Sequence, residues 1–117
     1  MGFPQRGEIW LVSLEPIKGH ETGKTRPALI ISNNRNNQYA ETVTVCPITS
    51  KKGRLYPFEA FLPKKDTNLT VDSKVKSNQI RTIDKKRLIK LLGKVSEEKL
   101  KEVEQAVLIH LDLYLFT

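Results

Sequence analysis

The 117-residue chain holds one cysteine, two histidines, one tryptophan and one methionine, and these scarcities each remove a class of explanation. With Cys46 alone no intrachain disulfide framework can form, which suits a reducing compartment. Neither C-x-x-C nor H-x-x-x-H spacing occurs, and His20 and His110 are far apart, so no metal site and no cofactor are expected. The phosphate loop G-x-x-x-x-G-K-[ST] is missing, which argues against nucleoside-triphosphate chemistry. No apolar run is long enough to span a bilayer, and no signal-peptide core is present. A cytoplasmic location without membrane contact is the expectation. Internal repeats and low-complexity linkers are absent too, so residues 1–117 are read as one domain.

Charge is what the chain has in excess. Lys plus Arg number 20 against 13 Asp plus Glu, a net +7 at pH 7. The surplus sits in residues 1–95, whereas residues 96–117 carry more acid than base. A cationic body with a mildly anionic tail attracts polyanions, either nucleic acid or an acidic protein segment, in a salt-dependent way.

Short β-type runs occupy residues 8–12, 28–32, 42–46 and 58–62, a fifth is expected over 73–81, and a sixth over 91–95 despite Gly93. Pro16 and Gly19, the Asn-rich cluster 33–37, Gly53 and residues 63–68 read as loops. Val43, Val45 and Ile48 place Cys46 in the core. The period changes after Ser96, which can cap a helix with Glu97 and Glu98 in its first turn and Leu100, Val103, Val107, Leu111 and Tyr114 along one face. Asp84 can cap a short turn before Lys85-Lys86-Arg87. A mainly β chain ending in one helix predicts a small, strongly bent antiparallel barrel that removes its edges by closing on itself.

Several polar residues sit at strand ends and in loops, where a core role does not explain them. They are His20, Glu21, Lys24 and Arg26; Thr49, Ser50, Lys51 and Lys52; and Lys76, Asn78, Gln79 and Arg81. Arg26 stands at the mouth of the run Ala28-Leu29-Ile30-Ile31, where a planar fixed cation followed by Pro27 suits a phosphate, although a surface ion pair would use it equally well. In a small barrel, the loop over residues 15–26 and two strand ends can converge on one groove. Arg54, Tyr56 and Phe58 place aromatic faces beside charge, which suits stacking with unpaired bases or a half-buried strand.

Arg6-Gly7-Glu8-Ile9-Trp10-Leu11-Val12-Ser13-Leu14-Glu15-Pro16, Gly19-His20-Glu21 and Thr25-Arg26-Pro27 together resemble the opening of the MazF/PemK/Kid toxins of bacterial toxin-antitoxin systems. The resemblance continues through Val45-Cys46-Pro47-Ile48-Thr49-Ser50, Tyr56-Pro57-Phe58-Glu59 and Gln79-Ile80-Arg81-Thr82-Ile83-Asp84, nearly the whole chain in order. It implies an SH3-like barrel with a C-terminal helix, related to CcdB and assembled as a homodimer. The implied activity is sequence-specific, metal-independent cleavage of single-stranded messenger RNA. The ribose 2′-hydroxyl attacks the adjacent phosphorus and leaves a 2′,3′-cyclic phosphate and a 5′-hydroxyl. The implied inhibitor is an antitoxin with an acidic, flexible C-terminal tail, which a cationic groove would accept.

By the same resemblance Arg26 and Thr49 occupy catalytic positions, and His20 and Lys76 match residues placed at the scissile phosphate. Lys24, Ser50, Lys51, Lys52, Arg54, Tyr56, Asn78, Gln79 and Arg81 are the RNA-binding candidates. Asn78 departs from the pattern, since several members carry an acidic residue there and an amide cannot act as a general base. Three arrangements stay open: Glu21 or His20 supplies the base, Arg26 and Thr49 act with little formal base catalysis, or the chain is weakened. The second is favoured. Two other functions compete, a non-enzymatic CcdB-like binder of a topoisomerase and a plain RNA-binding module on the same fold.

Overall fold

The computed structural model describes residues 2–14, 19–20 and 24–113. Strands β1 (Glu8–Ser13) and β2 (Thr25–Ile30) precede a short helix α1 (Asn34–Tyr39). The long strand β3 (Thr42–Ser50), β4 (Glu59–Leu62), β5 (Ser73–Lys76), β6 (Arg81–Asp84) and β7 (Leu88–Lys94) follow, and helix α2 (Glu97–Leu111) comes last. Single 3-10 turns lie at Lys64–Asp66, Ser77–Gln79 and Lys85–Arg87. The strands are antiparallel throughout, in the order β4-β5-β3-β2-β1-β7, with β6 also on β3.

The mainly β architecture with a terminal helix is as expected, but closure of the barrel is not. Among the described residues the path ends at β4 and β7 without joining them, so the sheet is open. The reason lies in β3, which serves two neighbourhoods. Its first half pairs with β6 over Thr42–Val45, and its last residues, Ile48–Ser50, pair with β5. Helix α2 packs against β4 and the Ser77–Gln79 turn, so side chains rather than a strand cover that flank.

Two cores result. Ile9, Leu29, Cys46, Ile48, Leu62 and Val75 meet Leu100 and Val103 of α2, while Val12, Leu14, Ala28, Ile30, Val43, Val45 and Ile83 fill the other face. Burial of alternate β2 residues on opposite faces explains its unbroken apolar run, and each fully buried aliphatic side chain contributes about 2 kcal/mol. Cys46 lies in the first core as expected, where burial pushes its thiol up to about 12 against a smaller opposing contact with the Ser77 side chain.

Two elements differ from expectation. The Asn-rich cluster read as a loop contains α1. Asn33 caps it by accepting the Asn36 N–H at 2.8 Å, and the buried Asn37 donates to the Ser32 carbonyl at 2.9 Å, so tertiary and capping bonds outweigh poor helix propensity. The fifth strand over 73–81 is broken by the Ser77–Gln79 turn, which lets the chain leave the end of β3 and rejoin it nearer its start. Helix α2 begins as predicted, with the Ser96 hydroxyl accepting the Lys99 N–H at 3.1 Å, and Asp84 caps the turn before Leu88. Tyr114 falls outside the described residues. No described helix is long and apolar enough to cross a membrane.

Candidate functional site

Two prolines shape the site. The β2/β3 ladder runs from Ile30 opposite Val45 to Ala28 opposite Pro47 and stops there, since Pro27 and Pro47 offer no N–H to extend it. Beyond the prolines β3 turns to β5, and Arg26 and Thr49 face each other across the gap. The Arg26 guanidinium Nη1 donates to Thr49 Oγ1 at 3.5 Å, with both residues half-buried. A cation and a hydroxyl are thus held at one point, as the sequence suggested. Lys24 enters from the far end of β2 with φ 62, a strained left-handed conformation for a side-chain-bearing residue. Its carbonyl takes the Leu14 N–H at 2.8 Å, which closes the β1/β2 end.

Register then builds the rest of the floor. Thr49 lies opposite Lys74 of β5, and Lys74 opposite Phe61 of β4, while Lys76 lies opposite Glu59. Residues directly opposite share a face of the sheet, and so do residues two apart along a strand. Thr49, Lys74, Lys76 and Glu59 therefore share the face turned away from Ile48, Val75 and Leu62.

Glu59 is the centre of this face, its side chain only 1% exposed. Its Oε1 accepts from Lys74 Nζ at 3.0 Å and from the Tyr56 N–H at 3.1 Å, and its Oε2 accepts from Lys76 Nζ at 3.3 Å. Burial opposes its ionisation, yet the Tyr56 N–H and the two ammonium groups outweigh that cost and hold the carboxyl below its ordinary range. Lys74 Nζ also donates to the Arg54 carbonyl at 3.2 Å. Neither Glu59 nor Lys74 was singled out from sequence. The available signal was an acidic residue inside the otherwise apolar run 58–62.

The β3–β4 loop rises above this cluster. Arg54 lies over the Tyr56 ring, its Cζ 5.3 Å from the centroid, and Tyr56 stacks on Phe58 with centroids 5.3 Å apart and planes 4° from parallel. Ser50, Lys51, Lys52 and Arg54 are exposed along the same loop, and Lys51 Nζ donates to the Gly53 carbonyl at 3.2 Å.

Other candidates lie elsewhere. Asn78, Gln79 and Arg81 line a separate depression of about 470 Å³ with Ile80 and Thr82, and Asn78 Oδ1 is buried without a hydrogen-bond partner. His20 is exposed and bonds to none of the described site residues. Glu21 lies outside the described residues. Among the described residues no three His, Cys, Asp or Glu side chains gather as a metal-holding group.

Fold and site define a small open-sheet protein with a cationic, hydroxyl-bearing face suited to a polyanion. A model of the PemK-like, MazF-like toxins of type II toxin-antitoxin systems matches residues 5–111, and the chain belongs to that family. It is 41% identical over 115 residues to the endoribonuclease MazF9 of Mycobacterium tuberculosis, covering 94% of this chain and 98% of that relative. MazF from Deinococcus radiodurans has the same fold at a TM-score of 0.82 and 30% identity, over 97% of this chain and 100% of that one. An endoribonuclease from a mycobacterial species, solved in complex with its cognate antitoxin, follows at 0.80 and 25% identity, over 96% and 98%.

Proposed function

We propose that this chain is the endoribonuclease toxin of a type II toxin-antitoxin pair, that it cuts single-stranded messenger RNA in the cytoplasm, and that two copies assemble into the working unit. The observation that carries this reading is the Arg26–Thr49 pair at the gap between β2 and β3. Cleavage by an internal 2′-hydroxyl needs a proton acceptor, help for the leaving 5′-oxygen, and compensation of charge on a five-coordinate phosphorus. Arg26 meets the third need with a planar pair of donors, and Thr49 fixes one phosphoryl oxygen by a hydrogen bond. Lys76, the more exposed of the two lysines on Glu59, supplies a second cation to the phosphodiester chain.

Glu59 is unsuited to act as the base. Its carboxylate is buried, already accepts three hydrogen bonds, and prefers the ionised state. With an amide at position 78, charge stabilisation by Arg26 carries most of the rate. An antitoxin with a carboxylate-rich tail competes for the same cations, so inhibition is expected to be salt-sensitive.

The test uses long single-stranded RNA in EDTA. The wild-type chain is expected to cut at reproducible positions and leave 5′-hydroxyl ends, and Arg26→Ala is expected to lower the rate by about 100-fold or more. Intact RNA with the wild-type chain, or equal cutting by the variant, would sink the proposal.

A further inference from the structure

The buried Glu59–Lys74 pair has no part in the chemistry just described, yet both partners are bonded to the backbone of the β3–β4 loop. Glu59 Oε1 takes the N–H of Tyr56, and Lys74 Nζ donates to the carbonyl of Arg54. The bonded backbone groups belong to the two residues whose side chains form the guanidinium–aromatic contact. The loop residues 51 to 57 are all exposed, and besides the Glu59 N–H on the Tyr56 carbonyl at 2.9 Å these two side chains are what fix the Arg54–Tyr56 segment. Lys74 stands opposite Thr49 in the β3/β5 register, so one side chain spans the distance from the strand position beside the Arg26–Thr49 pair to the base of the stack.

We propose that Glu59 and Lys74 are positioning residues: together they peg the β3–β4 loop so that the Arg54–Tyr56–Phe58 stack receives an unpaired nucleobase next to the phosphate held by Arg26 and Thr49. Lys74 is nearly buried, with its side chain 9% exposed and its ammonium engaged on two sides, so it acts through the loop rather than on RNA. Arg54 is the exposed end of the stack, and a base can extend it there on the guanidinium plane. Every base has a π-face, so the platform adds affinity at one nucleotide position without demanding a particular base there.

This inference rests on the proposed nuclease reading, and its experiment separates the two. Short RNAs tiled along a substrate, each carrying 2′-deoxy nucleotides so that it cannot be cut, are bound to the chain, and the tightest is remade with an abasic residue walked through it. Fluorescence anisotropy is expected to show one position where the abasic residue weakens binding about tenfold. That penalty should fall below about twofold in Tyr56→Ala, in Glu59→Met and in Lys74→Met, and Lys74→Arg should restore it. A purely structural part for the pair predicts a different pattern, in which Glu59→Met and Lys74→Met weaken every RNA equally and leave the penalty at its position. That pattern would overturn the proposal. So would a penalty that survives Tyr56→Ala, or loss of the folded circular dichroism spectrum in both charge variants. The binding comparison needs no cleavage, so uncut RNA in the preceding experiment would remove the nuclease reading without deciding this one.

Discussion

Glu59 sits under two ammonium groups at 3.0 and 3.3 Å, and its removal leaves positive charge without its counter-ion in a largely buried place. Truncating one partner of such a cluster costs about 3 kcal/mol, so Glu59→Gln should lower the urea midpoint markedly at pH 7. The pH dependence has a definite sign. Because the folded carboxyl lies below its ordinary value of 4.5, its contribution is complete above that pH and is lost as pH falls from there through the folded value. Wild-type stability should therefore decline below about pH 4.5, and Glu59→Gln should decline less steeply, as followed by urea unfolding from pH 6 to 3. An equal slope in both would contradict the assignment. At this scale the site was partly legible. Arg26 and Thr49 were picked out through the resemblance of their motifs to a known family, whereas Glu59 and Lys74 meet through cross-strand register, which no local pattern contains. Asn78, Gln79 and Arg81 line a depression at and just beyond the Ser77–Gln79 turn, a break that no local sequence pattern announces.

Helix α2 is the element whose sequence signals and structure agree best. Its cap, its acidic first turn and the buried Leu100 and Val103 are local features, and each was readable, whereas Leu111, expected on the same face, is exposed. The Ser96 hydroxyl satisfies one of the otherwise orphaned N–H groups, so Ser96→Ala should cost about 1 kcal/mol and lower Tm by about 4 °C. Calorimetry checks this, and an unchanged Tm would show that the helix is held by packing alone. Helix α1 was illegible because its support comes from outside: Asn37 reaches the Ser32 carbonyl, and the Asn34 side chain accepts the Arg6 N–H at 2.7 Å. The first four strands were found within a few residues. The fifth was read as continuous because no Gly or Pro punctuates residues 73–81, and the break arises from a change of pairing partner on β3.

For the whole molecule, the net +7 predicts how RNA is held. If Arg26, Lys51, Lys52 and Lys76 each neutralise a phosphate, the logarithm of the binding constant should fall with the logarithm of salt concentration at a slope of about −3, and Lys52→Ala should reduce that slope by about 0.7. A slope near zero would show that charge does not drive association. The open sheet has a further consequence, which concerns synthesis of the chain. Strand β1 pairs on one side with β2, its immediate successor, and on the other with β7, where Glu8 lies opposite Lys94. Arg6 pairs with Glu104 of α2, and the Val95 N–H bonds to the Gly7 carbonyl at 2.9 Å. Strand β1 therefore keeps one bare edge until β7 has left the ribosome. Such distant pairings form late, and the face bearing Arg26 is anchored to β1 through Val12 opposite it. A nascent chain lacking β7 lacks the second anchor of that strand, so the face bearing Arg26 is completed only once β7 has emerged from the ribosome.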